Sequence, residues 1–327
     1  MIVTQEVFEQ QLRAAEASAR SPEAGLFGPG SSTWTIAREP IVFLGAGRAA
    51  LLQLSHPYVA HAIDQHSSTR SDPIGRFNLT FLYVYGMIFG DLAHALGSAR
   101  RVRAIHDAVH GIIDEDVGPF RKGDRYRAHD PGALVWVWAT LLETSVMLHE
   151  ACLGPIADAE KDRILAEMRR FAWLFGVADE HLPQSYRAFS AYCAEMAASG
   201  TLAVGRPARE IGDFLFTAAR PAARPLLRWY RVMTAGLLPE PLRAPWGMRF
   251  GRVEQAVFGR SMAAIRASYP RLPARVRRVP AFIEASHRLS GKPGPDRIGR
   301  KVEQLLLRFI SPTAAPSTSG SACPVPH

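Results

Sequence analysis

Residues 133–142 read ALVWVWATLL, one of the longest apolar runs in this 327-residue chain. Asp130-Pro131 stands just before it, and a capping residue followed by a first-turn proline is typical of a helix start. The run stops at Glu143, well short of the roughly 20 apolar residues that a membrane span requires. It therefore predicts a buried helix over about 131–152 and no transmembrane segment. The run LTFLYVYGMIFG at 79–90 is interpreted in the same way.

Helical spacing of apolar residues continues through the chain, and no alternating run is long enough to predict a sheet. The sequence therefore predicts an all-α fold with a single large helical domain. We expect an N-terminal helix and loop (1–34), a main domain (35–290), a C-terminal helix (291–310) and a disordered tail (311–327). After an N-terminal helix at about 4–19, the predicted helices cover about 44–66, 74–96, 99–114, 131–152, 158–174, 183–199, 207–218, 224–236, 249–268, 274–289 and 295–309.

Composition narrows the class of protein. A hydrophobic fraction of 47% is ample for a buried core. The three cysteines show no CxxC spacing, which argues against a disulfide framework or a thiolate zinc site and favours a cytoplasmic location. The N-terminal residues lack a basic segment followed by an apolar one, so no signal peptide is predicted.

The net charge of +9 is concentrated in the C-terminal third, where 220–308 contains 19 Lys or Arg against 5 Asp or Glu. Such a surface could make peripheral contact with a membrane. The arginines alternate with apolar residues at helical spacing, which favours the solvated faces of packed helices. No nucleic-acid-binding signature is present, so a nucleic-acid partner is not expected.

Gly45, Gly47 and Ala50 match the G-x-G-x-x-A pattern of a dinucleotide-binding turn. That interpretation requires a second strand ending in an acid, and the residues that follow are helical and polar. We expect these small residues to permit close helix packing instead.

The stretch HDAVH at 106–110 allows three interpretations: a zinc-binding helix face, a haem ligand with a neighbour, or an ordinary amphipathic turn. His106 and His110 are four residues apart and would share one face of a helix, as in the H-E-x-x-H zinc motif. A zinc-dependent hydrolase is therefore one alternative, although no third ligand is evident downstream. A haem would need one helical imidazole among small and apolar residues, which Ile105, Ala108 and Val109 supply.

Six ordered segments resemble the DUF2236 family, which contains rubber oxygenases and an endoplasmic-reticulum-bound oxygenase. The resemblance runs from about Thr35 to Arg288. It implies an all-α fold with a globin-like core around a haem pocket, binding haem b and its iron. The segments are ALLQLSHP (50–57), SDPIGRFNLT (71–80), RVRAIHDAVHG (101–111), YRAHDPGALVWVWATLLETSVMLHE (126–150), FGVADEHLPQSY (175–186) and LLPEPLRAPWGM (237–248).

The resemblance assigns the axial iron ligand to His106, because the family's H-x-x-V-x-G pattern falls on His106, Val109 and Gly111. His110 would then be a neighbour of the haem.

The distal side of the haem is implied by the stretch at 76–80, where the rubber oxygenases read R-x-x-K-T. Arg76 and Thr80 match, and they would stabilise negative charge on oxygen. Leu79 takes the place of the lysine, so no amine can cap the iron. No glutamate lies between Glu39 and Glu115 to match the family's distal glutamate. Asp64 is the nearby group closest in kind for a base.

The resemblance thus implies an oxygenase that uses dioxygen to oxidise an apolar or unsaturated small molecule, with an electron donor as a further partner. A haem-binding sensor or carrier without turnover would have nearly the same sequence, and it stays open as an alternative.

Overall fold

The computed structural model describes residues 2–67, 73–217, 221–292 and 294–310, with the backbone alone at 73–78 and 306–310. The described residues form fifteen α-helices and one short antiparallel hairpin, so the predicted all-α class is confirmed. The elements are α1 (Gln5–Ser18), α2 (Ser32–Ala37), α3 (Ala46–Leu54), α4 (Pro57–His66), α5 (Pro73–Phe89), α6 (Leu92–Asp107), β1 (His110–Ile112), β2 (Arg125–Arg127), α7 (Pro131–Leu153), α8 (Asp158–Trp173), α9 (Tyr186–Ala198), α10 (Arg206–Leu215), α11 (Arg224–Leu237), α12 (Glu240–Arg243), α13 (Arg252–Ser268), α14 (Pro280–Leu289) and α15 (Arg297–Ile310).

Helix α7 runs through the centre of the molecule. Asp130 caps it by accepting the N–H of Ala133 at 2.8 Å, as the sequence predicts. Two buried indoles attach it to its neighbours: Trp136 donates to the Leu52 carbonyl and Trp138 donates to the Met168 carbonyl, both at 2.8 Å. The main hydrophobic core around it includes residues from Val3 to Ala285.

By length and composition α7 is the one described helix that could cross a membrane. More than half of its most apolar window is buried inside the protein, however. It also carries Glu143, whose carboxylate binds the buried guanidinium of Arg48 on α3 at 2.7 Å. These contacts are those of a core helix.

The small residues at 45–50 pack closely, as expected. A methyl group on Gly45 would lie 2.3 Å from Thr144 Cγ2, and one on Gly47 would lie 2.5 Å from Thr234 Oγ1. The pattern therefore serves the approach of α3 to α7 and α11, and the only sheet among the described residues is the hairpin.

The predicted helix over 44–66 is divided in the structure. Ser55 ends α3, and His56 takes an extended conformation (φ −83°, ψ 116°) before Pro57 begins α4. A residue that precedes proline is disfavoured in the helical region, because the proline ring contacts its backbone. The break is thus encoded in the dipeptide His56-Pro57.

The predicted helix over 99–114 also ends early. Helix α6 ends at Asp107, and β1 follows and pairs with β2. In the hairpin, Ile113 and Tyr126 become almost fully buried in a small cluster of their own. A continued helix would carry Gly111 in its interior, at a cost of about 1 kcal/mol relative to alanine.

Candidate functional site

Helices α5 and α6 form an antiparallel pair that positions the candidate site. Asp91 caps α6 at the turn between them by accepting the N–H of His94 at 2.8 Å. Gly86 allows close contact, since a methyl group there would lie 2.8 Å from His94 Nε2 and Ser98 Oγ. The first residues of α5 and the last residues of α6 therefore lie at the same, open end of the pair.

The predicted residues of α5 and α6 lie at this open end. Leu79 is seven residues before Gly86, and Ile105 is seven residues after Ser98, so both are about two helical turns from the close contact. Thr80 is exposed and His106 is half-buried in the last turn of α6. Arg76 lies on α5, and its side chain is outside the described residues.

Large apolar side chains are exposed at the same end. Leu79 is 37% exposed, Leu82 55% and Ile105 46%. Exposed aliphatic side chains beside a half-buried imidazole would suit a flat apolar group that carries a metal with one free axial position. The residues present thus fit a haem, which is the group implied by the resemblance.

His106 has a neighbour that the sequence analysis missed. Its ring lies 6.0 Å from the ring of His129, centroid to centroid. His129 Nε2 donates to Asp107 Oδ1 at 2.7 Å, and Arg103 Nε lies 3.2 Å from the same oxygen. Burial lowers the pKa of His129, although the hydrogen bond to Asp107 raises it. His129 directly precedes the Asp130-Pro131 helix start, and that position was its only signal in the sequence.

The zinc-helix interpretation of HDAVH is wrong. His110 is the first residue of β1, it is exposed, and it pairs with Arg127 in the hairpin. Its carbonyl accepts a hydrogen bond from the ring Nε2 of His66 at 3.0 Å. Because α6 ends between the two histidines, His106 and His110 do not share a helix face, and the spacing argument for one metal ion fails.

Asp64, the candidate base, lies half-buried on α4. Burial raises the pKa of Tyr126 to about 12, and the negative charges of Asp64 and Asp114 add to this effect. Asp64 therefore lies on the side of α4 that approaches the hairpin.

A second cluster of ionisable groups lies beside α4. One ligand atom from each of His61, Asp114 and Glu115 falls within 4.8 Å of the others, which is close enough to hold one metal ion. His61 is buried, with Nδ1 2.9 Å from the Pro57 carbonyl and Nε2 3.0 Å from Asp114 Oδ1. The cluster was missed because His56, His61 and His66 are five residues apart, a spacing that scatters side chains around a helix and indicates no shared site.

Arg206 already binds both carboxylates of this cluster. Its guanidinium binds Asp114, and its backbone N–H donates to Glu115 at 2.8 Å. Burial raises the pKa of Asp114, but the hydrogen bond from His61 and the charge of Arg206 outweigh it, so the pKa lies below its usual value. The arrangement is that of an ion-pair network joining α4 to α10.

A cleft of about 370 Å³ lies elsewhere, between α2 and α14. Trp34, Arg38 and Phe282 line it, together with hydroxyl groups. None of the residues predicted for the site contributes to this cleft. It is therefore separate from the open end of α5 and α6.

The fold and the site together describe an all-α protein with a half-buried histidine and exposed apolar side chains at one end of a helix pair. Residues 33–267 match the family described as ER-bound oxygenase mpaB/B'/Rubber oxygenase, catalytic domain, and the chain belongs to this family. Comparison with curated proteins and with solved structures gave no match. Membership makes the chain an oxygenase-type enzyme that acts on a substrate with dioxygen.

Proposed function

We propose that the protein is a haem b-dependent oxygenase that oxidises an apolar or unsaturated small molecule. The observation that carries the proposal is that the half-buried His106 lies at the same end of the α5–α6 pair as the exposed side chains of Leu79, Leu82 and Ile105. A bound haem would supply the dioxygen chemistry, while the protein supplies orientation, electrostatics and exclusion of water.

His106 would hold the iron, and the exposed apolar side chains would cover the faces of the macrocycle. His129 and Asp107 support this end of α6, since their 2.7 Å hydrogen bond joins the last helical turn to the segment that leads into α7. Such supporting contacts fix the orientation of a ligand ring. Leu79 offers no amine, so α5 would add no ligand to the iron from this position. His110, exposed on β1, would remain a neighbour without a ligand role.

Arg76 and Thr80 would donate hydrogen bonds where negative charge develops on oxygen. They are four positions apart on α5, and positions with that spacing share one face of a helix. Asp64 on α4 would accept a proton from the substrate. An electron donor would be required where the reaction consumes reducing equivalents.

The test is oxygen uptake by haem-loaded protein with a panel of terpenoid, aromatic and unsaturated lipid substrates. Arg76→Ala should retain haem but lose about a hundredfold to a thousandfold in rate, as when a donor to a developing oxyanion is removed. Thr80→Val should have a smaller effect, because a neutral hydroxyl makes a weaker hydrogen bond than a guanidinium. Arg187→Ala, an exposed arginine on α9, is the matched control and should turn over normally.

Two outcomes would contradict the proposal. Haem-loaded protein with no uptake above that of free haem on any substrate would favour a sensor or carrier. Normal turnover by Arg76→Ala would show that Arg76 on α5 does not stabilise charge on oxygen.

A further inference from the structure

Helix α15 exposes large apolar side chains to solvent along the part whose side chains the structure describes (297–305). Ile298 is 63% exposed, Val302 51% and Leu305 60%. These residues are spaced by four and then three positions, so they form one stripe along the helix. A helix on the surface of a globular protein ordinarily turns such a stripe toward the core.

The side of α15 that faces the protein is polar instead. Arg300 makes a two-pronged ion pair with Glu284 on α14, at 2.9 and 2.7 Å. Asp296, which is 6% exposed, accepts the N–H of Gly299 at 3.1 Å. Ion pairs and caps therefore hold the helix in place, and among its residues with described side chains (297–305) the large apolar ones, Ile298, Val302 and Leu305, are exposed.

Basic residues flank the stripe. Arg297 and Lys301 are exposed on α15. Arg275 comes within 3.9 Å of Asp296, which brings the segment before α14 beside the start of α15. That segment adds Val276, which is 61% exposed. We name the combination of Val276, Ile298, Val302, Leu305, Arg275, Arg297 and Lys301 the basic apolar face.

We propose that the basic apolar face docks on an anionic lipid bilayer, with α15 lying in the plane of the interface. Aliphatic side chains would enter the boundary between headgroups and acyl chains, and the flanking cations would attract anionic headgroups. A second copy of the chain fits less well, because it would bring two basic surfaces together. Nucleic acid would match the charge but would leave the aliphatic stripe uncovered.

This inference does not depend on haem or on oxygenase activity. The test uses the purified full chain with vesicles of phosphatidylcholine alone or mixed with phosphatidylglycerol, separated by flotation. The protein should float with the anionic vesicles and stay behind with the neutral ones. Raising the salt from 0.1 M to 1 M shortens the screening length from about 10 Å to about 3 Å and should release it.

Variants separate the contribution of the aliphatic side chains from that of the basic ones. Val302→Asp with Leu305→Asp should weaken vesicle binding more than about tenfold, because two buried aliphatic side chains are lost. Arg297→Gln and Lys301→Gln should each weaken binding about fivefold. Ile112→Asp, at a position 53% exposed on β1, is the matched control and should bind as the unaltered protein does. Circular dichroism melting should be the same for all of them, since the altered side chains are exposed.

Three results would overturn the proposal: no binding to anionic vesicles, unchanged binding by the Val302→Asp, Leu305→Asp variant, or a dimer in size-exclusion chromatography that this variant converts to monomer. The last result would assign the face to a second copy of the chain.

Discussion

His106 is the residue on which the proposed function depends most. It is half-buried in the last turn of α6, whereas His110 is exposed on β1, so only His106 has the apolar surroundings of an axial ligand. We expect His106→Ala to weaken haem binding by more than the roughly tenfold to a hundredfold typical of losing a supporting partner. His110→Ala should bind haem normally and serves as the control.

The measurement is haem titration followed by absorption. In His106→Gly, added imidazole should restore the spectrum of the unaltered protein, because it replaces the missing ring. If His110→Ala loses haem and His106→Ala retains it, the ligand assignment is wrong.

A second prediction for a single residue concerns His56 and the pH dependence of stability. It is 5% exposed, its Nδ1 has no hydrogen-bond partner, and burial lowers its pKa to about 4. An unfolded histidine binds a proton near pH 6.5, so the folded state loses stability as the pH falls from about 6.5 toward 4. Below that window both states are protonated, and this group causes no further loss.

Between pH 7 and pH 5 we expect His56 to reduce the free energy of unfolding by about 2 kcal/mol. His56→Phe retains a ring against Tyr58 and Phe120 but cannot titrate, so urea unfolding should show a correspondingly flatter pH dependence. The pH dependence of the free energy of unfolding that remains would come partly from His129 and His149, whose pKa values burial also lowers. Equal slopes in both proteins would show that His56 does not titrate in this range.

The structural role of a residue could be predicted from sequence where it depends on neighbouring positions in the chain. The Asp130 cap and the small residues at 45–50 follow from neighbouring residues in the chain, and both have the predicted roles. The contact between His106 and His129 and the pairing of His61 with Asp114 could not be predicted. They join residues more than twenty positions apart, and helical spacing carries no information about such pairs.

At the scale of the element, the crossing of α3 and α7 depends on the absence of a side chain at Gly45. A methyl group there would lie 2.3 Å from Thr144 Cγ2 and 2.6 Å from Leu148 Cδ1. Gly45→Ala should therefore reduce the free energy of unfolding by about 1–3 kcal/mol through overpacking.

Gly97→Ala on α6 is the matched control for this change. No atom lies within 4 Å of the added methyl group, so alanine should increase stability by up to about 1 kcal/mol through its better helix propensity. Urea denaturation at neutral pH measures both variants. A Gly45→Ala protein as stable as the parent would mean that the two helices can separate at little cost.

Helix starts were predicted accurately where a cap and a proline mark them, whereas the start of α6, which lacks the proline, was predicted at 99 and lies at Leu92. Capping residues and first-turn prolines mark starts, and α7 begins at Pro131 as predicted. The end of α6 was predicted seven residues too late, because apolar residues at 109–113 suit a helix face as well as a hairpin. Only the burial of Ile113 with Tyr126, which comes from the other strand, decides between them.

For the whole molecule, the sequence predicted the fold class and the family because helical spacing and ordered motifs extend through most of the chain. Residues 33–267 carry the family match, and the core includes helices on both sides of that range. The globin-like arrangement of the helices stays a prediction. The haem also stays a prediction, because it is a group that a protein sequence does not contain. The orientation of α15 was also unpredictable, because an amphipathic pattern ordinarily places the apolar side toward the core.

The most direct test of the central claim is a haem titration of the purified 327-residue chain, followed by its absorption spectrum. A single site with His106 as the axial ligand predicts a Soret band that saturates at about one haem b per chain. Leu79 provides no amine, so cyanide or imidazole should shift the band readily. A titration that gives no Soret band beyond that of free haem, and no saturation near one haem per chain, would contradict the account.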